Sequence, residues 1–174
     1  RFEKCWKQLW VRATGSDTIV FEDVRIPERY LINFSDTGKN PEPPVLAAWH
    51  TIVVPALYDA VTRSARDWLI DFLEQRVPSA LGRPLSTLPR FHAVAGEIDG
   101  LLLINEALLE HGVTKTEAGT ISLTEARQIK RPVTEHAISA VARAVEVTGN
   151  PGLSQDNALE RHYRHVPCGR IHTP

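Results

Sequence analysis

The sequence predicts a mainly α protein, a helical bundle of the up-down four-helix type behind a short β segment. Three observations predict it. Apolar residues recur at helical spacing along three long stretches between Val45 and Thr148. Ser122 with Glu125 and Asn157 with Glu160 have the spacing of a capping box, in which each end satisfies a free backbone donor at a helix start. Clusters of glycine and proline separate the stretches.

Residues Phe2 to Val11 are rich in Trp and Leu with interspersed Lys, and they lead into Arg12-Ala13-Thr14-Gly15-Ser16. Thr18 to Phe21 is β-branched and aromatic, and Glu22-Asp23-Val24-Arg25-Ile26-Pro27 follows. That pattern predicts a strand, a short turn and another extended piece. Asn33 to Pro44 has the Asn, Asp, Gly and Pro content of a linker. The expected organisation is a β segment over 1–38, a linker over 39–44 and a helical domain over 45–174.

The first helix is expected from Val45 to about Arg76, with Leu46, Trp49, Val53, Ala56, Ala60, Ser64, Trp68 and Phe72 on its repeating face. Pro55 inside it predicts a kink. Pro78, Gly82 and Pro84 end it and open a loop. The second helix is expected from about Leu88 to His111, with Phe91, Ala95, Ile98, Leu102 and Leu109 inside and Gly112 as its stop. Ser122 caps the third, which runs to about Thr148 with a bend at Pro132. Gly149, Pro151 and Gly152 then break the chain, and Asn157 restarts a short charged helix. Ordinary core packing accounts for most of these apolar positions.

The chain has 174 residues, 43% of them hydrophobic, enough for one ordinary domain with a sizeable core. A net charge of -1 gives no sign of a nucleic-acid or membrane surface. No apolar run is read as approaching the roughly 18 residues of a membrane helix. Cys5 and Cys168 lie far apart, and the expectation is a reduced, cytoplasmic protein. The start at Arg1 and the end at Thr173-Pro174 are read as cuts, so the chain is expected to be a piece of a longer protein.

The segment from Ala144 to Pro174 resembles the C-terminus of the acyl-CoA dehydrogenase superfamily. Gly149, Gly152, Leu159-Glu160-Arg161, Arg164 and Ile171 match that pattern without gaps. His172 then stands at the family's tyrosine and Thr173 at its catalytic glutamate. A threonine has no titration near neutral pH and cannot serve as that base. The other family position for the glutamate, early in the first bundle helix, falls near His50, with no acid within a turn. The ending Gly169-Arg170-Ile171-His172-Thr173-Pro174 is similar to the flavin-dependent monooxygenase branch of the dibenzothiophene monooxygenase type. Near the N-terminus, Arg12-x-Thr14-x-Ser16 and Phe21-x-x-Val24-x-Ile26-Pro27 resemble the end of the same superfamily's middle β-domain.

The resemblance implies a flavin enzyme using FMN or FAD, and a fragment that is inactive alone because most flavin contacts belong to absent domains. It makes residues 1–38 the end of the middle β-domain and 45–174 the C-terminal bundle. Arg76 matches the arginine that contacts the cofactor diphosphate of a neighbouring subunit, although Pro78 and Ser79 replace the glutamine and phenylalanine that follow it in the family. Thr14, Ser16 and Gly149 are the other implied cofactor contacts. His172 becomes the first catalytic candidate, since imidazole donates hydrogen bonds and exchanges protons near neutral pH. His92, at the start of the second helix, is the other. His162 and His165 suggest a solvated helix face and no metal is expected. The implied partners are a second copy or three (homodimer or homotetramer), a flavin reductase and a small organic substrate, with no nucleic acid and no membrane. The alternatives are an acyl-CoA dehydrogenase using FAD and a non-catalytic oligomerisation module.

Overall fold

In the N-terminal unit, Arg1–Pro43, β1 (Phe2–Glu3) pairs antiparallel with β2 (Thr18–Ile19), Phe2 opposite Ile19. The structure is a computed structural model that describes residues 1–30 and 44–172. Asp17 holds the intervening loop, its Oδ1 accepting from the backbone N–H of both Cys5 and Trp6 at 2.9 Å. The strand expected over Thr18 to Phe21 is two residues long, and the Glu22–Pro27 stretch joins no strand ladder among the described residues. The linker expected at 39–44 lies outside the described residues, except that Pro44 is the first residue of a helix, where its missing N–H is no loss.

The second unit, Pro44–Pro174, is the bundle. Its long helices are α1 (Pro44–Gln75), α2 (Pro89–Glu117) and α3 (Leu123–Thr148), followed by the turn α4 (Asn150–Leu153) and the short α5 (Ala158–His165). Cross-helix pairs fix the directions. Arg63 reaches Glu106 and Arg66 reaches Asp99, so α1 and α2 are antiparallel. Lys115 meets Glu125 and Glu97 meets Arg143, so α2 and α3 are antiparallel as well. Thus α1 and α3 run parallel, and α5 completes the set by burying Leu159 in the main core with Leu69, Leu73, Phe91, Ile98 and Val141.

The inward face of α1 is displaced by about one position from the expected one. Ala48, Ile52, Tyr58, Thr62, Ala65, Leu69 and Leu73 are buried, whereas Leu46 and Val53 are more than half exposed. The reason is that α1 is apolar on more than one side, so periodicity alone does not choose its core face. Val45–Gln75 even has the length and apolar character of a membrane span, contrary to the expectation above. Its buried side carries Thr51, Asp59 and Thr62, and those partners come from the bundle itself.

Helix α2 does not stop at Gly112. A Cβ there would lie 2.8 Å from Ile52 Cδ1 and 3.2 Å from Ile129 Cδ1, so this glycine lets three helices close up. The stop comes at Gly119, at φ 64, where Gly119 N–H bonds Thr116 O and Thr120 N–H bonds Lys115 O. The Ser122 cap forms as expected, Ser122 Oγ accepting from Glu125 N–H at 3.1 Å. The Asn157 box does not. Asn157 starts α5, but its amide donates instead to Pro151 O at 2.7 Å, and Glu160 is held by Arg164. Both Pro55 and Pro132 sit inside continuous helices.

A polar tie crosses the interior of the bundle. Asp59 on α1 accepts from Arg63 Nε and from Asn105 Nδ2, each at 2.8 Å. The fully buried Asn105 on α2 also donates to Val133 O, and its Oδ1 accepts from His136 Nδ1 on α3 at 2.8 Å. Asn105→Ala should lower unfolding stability by about 2–3 kcal/mol, because it removes the buried partners of Asp59 Oδ1 and His136 Nδ1 and leaves a cavity between the helices. A chemical-denaturation midpoint equal to that of the parent chain would refute the role assigned to this amide.

Burial holds the imidazoles of His162 and, with help from Arg164 and Arg161, His165 below the ordinary pKa. The unfolded chain therefore takes up protons first on acidification, so stability is complete above about pH 6.5 and falls as pH drops below it towards the folded pKa values. Thermal melts at about pH 7.5 and 5.5 should differ less for His162→Gln than for the parent chain.

Candidate functional site

Tyr58 sits on the buried side of α1, 1% exposed, facing the segment that follows α5. That segment, the tight 3-10 turn Val166–Arg170, lies against α3 and α1. Gly169 makes the fit possible. A Cβ on it would stand 2.8 Å from Thr134 Cγ2 and 3.0 Å from the Tyr58 ring. The turn closes with His172 N–H bonding Cys168 O at 3.0 Å, which brings the His172 imidazole over Tyr58. His172 Nδ1 lies 2.8 Å from the Tyr58 hydroxyl, with the ring centroids 5.9 Å apart at 54°.

Burial first, and the neighbouring Cys168 second, push the Tyr58 phenol well above its ordinary pKa. Tyr58 is thus protonated across the neutral range. When it donates to Nδ1, the neutral imidazole carries its hydrogen on Nε2. Lys130, from α3, donates its ammonium to the His172 carbonyl. Burial, then the nearby Arg127 charge, lower the Lys130 pKa. Among the described residues no carboxylate bonds to Tyr58, Lys130 or His172.

The other candidates lie elsewhere on the bundle. Arg76 follows the last residue of α1, exposed, with its carbonyl accepting from Leu85 N–H at 3.0 Å. His92, also exposed, has its ring nitrogen bonded to Ser86 O in the same loop. Gly149, at φ 63, ends α3 with open space where a Cβ would be. Because α1 and α3 are parallel and α2 begins where α1 ends, Arg76, His92 and Gly149 share one end of the bundle. Tyr58 lies about five helical turns earlier in α1, about 27 Å at 1.5 Å per residue. Hence one chain does not bring His92 and His172 into one site.

Thr14 and Ser16 belong to the N-terminal unit. Thr14 Oγ1 donates to Val11 O at 2.9 Å, and Ser16 Oγ lies 3.5 Å from Thr14 Oγ1, both residues being exposed. Thr173 lies outside the described residues. His162 and His165 are half-buried on α5, and no group of three or more His, Cys, Asp or Glu able to hold a metal occurs among the described residues. His50 is exposed on α1.

Sequence reasoning singled out His172 but missed Tyr58 and Lys130, which hold it. The signal for Tyr58 was the run Thr51, Ile52, Pro55, Tyr58, Asp59 and Thr62, a face of mixed polarity that an apolar-only pattern passes over. Lys130 carries no comparable signal, since its partner is a backbone carbonyl.

Residues 56–174 match the family model described as acyl-CoA dehydrogenase, C-terminal domain. The chain is 29% identical over 178 residues to the putative acyl-CoA dehydrogenase YdbM of Bacillus subtilis (strain 168), covering 99% of this chain and 45% of that protein. It is 26% identical over 195 residues to HsaA, the oxygenase subunit of a flavin-dependent monooxygenase from Rhodococcus jostii (strain RHA1), covering 99% and 50%. The chain thus spans about half the length of these relatives. The solved butyryl-CoA dehydrogenase from Megasphaera elsdenii superposes with a TM-score of 0.78 over 99% of this chain and 43% of its own, at 20% identity, a likeness of fold. Since the matched family model takes in most of the chain, including the whole segment from Tyr58 to His172, this chain belongs to the acyl-CoA dehydrogenase C-terminal domain family.

Proposed function

We propose that the chain is the bundle portion of a two-component flavin-dependent monooxygenase, which takes reduced FMN or FAD from a separate reductase and oxygenates a small organic substrate. The observation that carries this reading is the Tyr58–His172 hydrogen bond, made next to the position where a dehydrogenase would carry its base and this chain carries Thr173. Similarity to HsaA supports it.

Bound flavin would supply the redox chemistry and the activation of oxygen. The residues at the loop end of the bundle fit such a group. The Arg76 side chain is exposed and has no acidic partner among the described residues, and an arginine fork suits a phosphate. Gly149 leaves its backbone open to close approach. The distance between the two ends fits an assembly in which Arg76, His92 and Gly149 serve a neighbouring copy's cofactor. Val45, Leu46, Val53 and Leu57, all exposed on α1, offer an apolar face for a homodimer or homotetramer.

At the other end, Tyr58 orients His172, and when its hydroxyl donates to Nδ1 a hydrogen stays on Nε2, where it can donate to an oxygen or move a proton. Lys130 pins the His172 backbone, so the ring pivots little. The two free cysteines, Cys5 and Cys168, fit a reducing cytoplasm. A dehydrogenase needs a carboxylate base facing substrate. Asp59, the buried acid of α1, is already engaged by Arg63 and Asn105.

The test is rapid mixing of the intact protein, loaded anaerobically with reduced flavin, against oxygenated buffer. Flavin should reoxidise in two resolved phases. Tyr58→Phe, which removes the orienting hydroxyl without changing ring packing, should shorten the slower phase about tenfold, the scale of one oriented hydrogen bond. Bleaching of oxidised flavin by an acyl-CoA, with no added reductant, would overturn the oxygenase reading in favour of a dehydrogenase.

A further inference from the structure

A cavity of about 280 Å³ opens between α3 and the turn after α5. Arg127, Lys130 and Arg131 line it from one face of α3, with Arg170 across from them. Glu135 is the single acid in the lining, and it is consumed by Arg170, which grips both carboxylate oxygens at 2.8 and 2.6 Å. Arg131 adds a weaker pull on Glu135. Arg127 has no acidic partner among the described residues. Four cations therefore share the lining with one carboxylate. Like charges gathered on one wall raise the local positive potential, which attracts an anion.

An independent feature sits in the same wall. Thr134 is 3% exposed, and its Oγ1 has no hydrogen-bond partner. A buried hydroxyl without a partner is costly and uncommon. Its methyl is turned to Gly169, and it shares the cavity lining with the arginines.

We propose that this cavity binds a small oxyanion, a phosphoryl or carboxylate group, with the Arg127 and Arg131 guanidinium groups as its charged donors and the Thr134 hydroxyl as its neutral one. Planar guanidinium forks match the oxygens of either group. The volume admits one such group and a few attached atoms, not a whole dinucleotide. Lys130 lines the cavity and also holds the His172 carbonyl, so an occupant competes for or reinforces the contact that anchors the tail. The site does not depend on the oxygenase reading, because it rests on charge and an unpartnered hydroxyl alone.

Isothermal titration of the intact protein at low salt, with inorganic phosphate and separately with malonate, tests it. One saturable site per chain is expected for at least one of them. Preference for phosphate identifies a phosphoryl ligand, and preference for malonate a carboxylate. The R127Q/R131Q double variant should weaken binding by at least about tenfold, since each charge-assisted hydrogen bond contributes more than a neutral one. Thr134→Val, close to isosteric, should weaken it several-fold. Arg90→Gln, which removes a cation away from the cavity, should leave it unchanged. No saturable heat with either anion, or affinity unaltered in R127Q/R131Q or in Thr134→Val, would overturn the site.

Discussion

Asn105 is the side chain on which the three long helices agree. Its amide nitrogen donates to the carboxylate of Asp59 on α1 and the carbonyl of Val133 on α3, while its oxygen accepts from His136 Nδ1. Apolar contacts between helices tolerate small sliding, since they are non-directional. A buried amide with both ends engaged does not, because any shift leaves polar atoms dry and unpaired. The tie therefore sets the axial register of the bundle. Register in turn decides that Tyr58 faces Gly169, that Gly112 meets Ile52, and that Thr134 lies beside the tail.

Much of the helical architecture was legible because helix ends are written in local chemistry. Ser122 with Glu125, the Gly149 break and the restart at Asn157 each depend on a few neighbouring residues, and each boundary appears where those residues place it. Features decided by distant contacts were not legible. Gly112 has the look of a stop and is instead a place of close approach, which only the arrival of Ile52 and Ile129 reveals. The core face of α1 was misjudged because that helix is apolar on several sides and its true inward face carries Tyr58, Asp59 and Thr62. The Asn157 side chain chose Pro151 over the expected cap because the preceding turn brings that carbonyl within reach.

At the candidate site, sequence resemblance led to His172 and Arg76 as single residues without saying that the fold sets them far apart. Spacing in sequence does not report which helices are parallel; the ion pairs across the bundle do. The surroundings of His172 are likewise a product of tertiary contact. A tyrosine some hundred residues earlier and a lysine on a third helix meet it, the latter through main chain rather than side chain.

The stretch of α1 between Tyr58 and Arg76 also works as a ruler. A helix can be lengthened only in whole residues, each adding about 1.5 Å and about 100° of rotation. One inserted residue anywhere in that stretch would swing Arg76 a quarter turn or more out of its present direction, even though every side chain involved survived. Any use of both ends of the bundle at once would thereby fix the helix length, a constraint on gaps and not on residue identity.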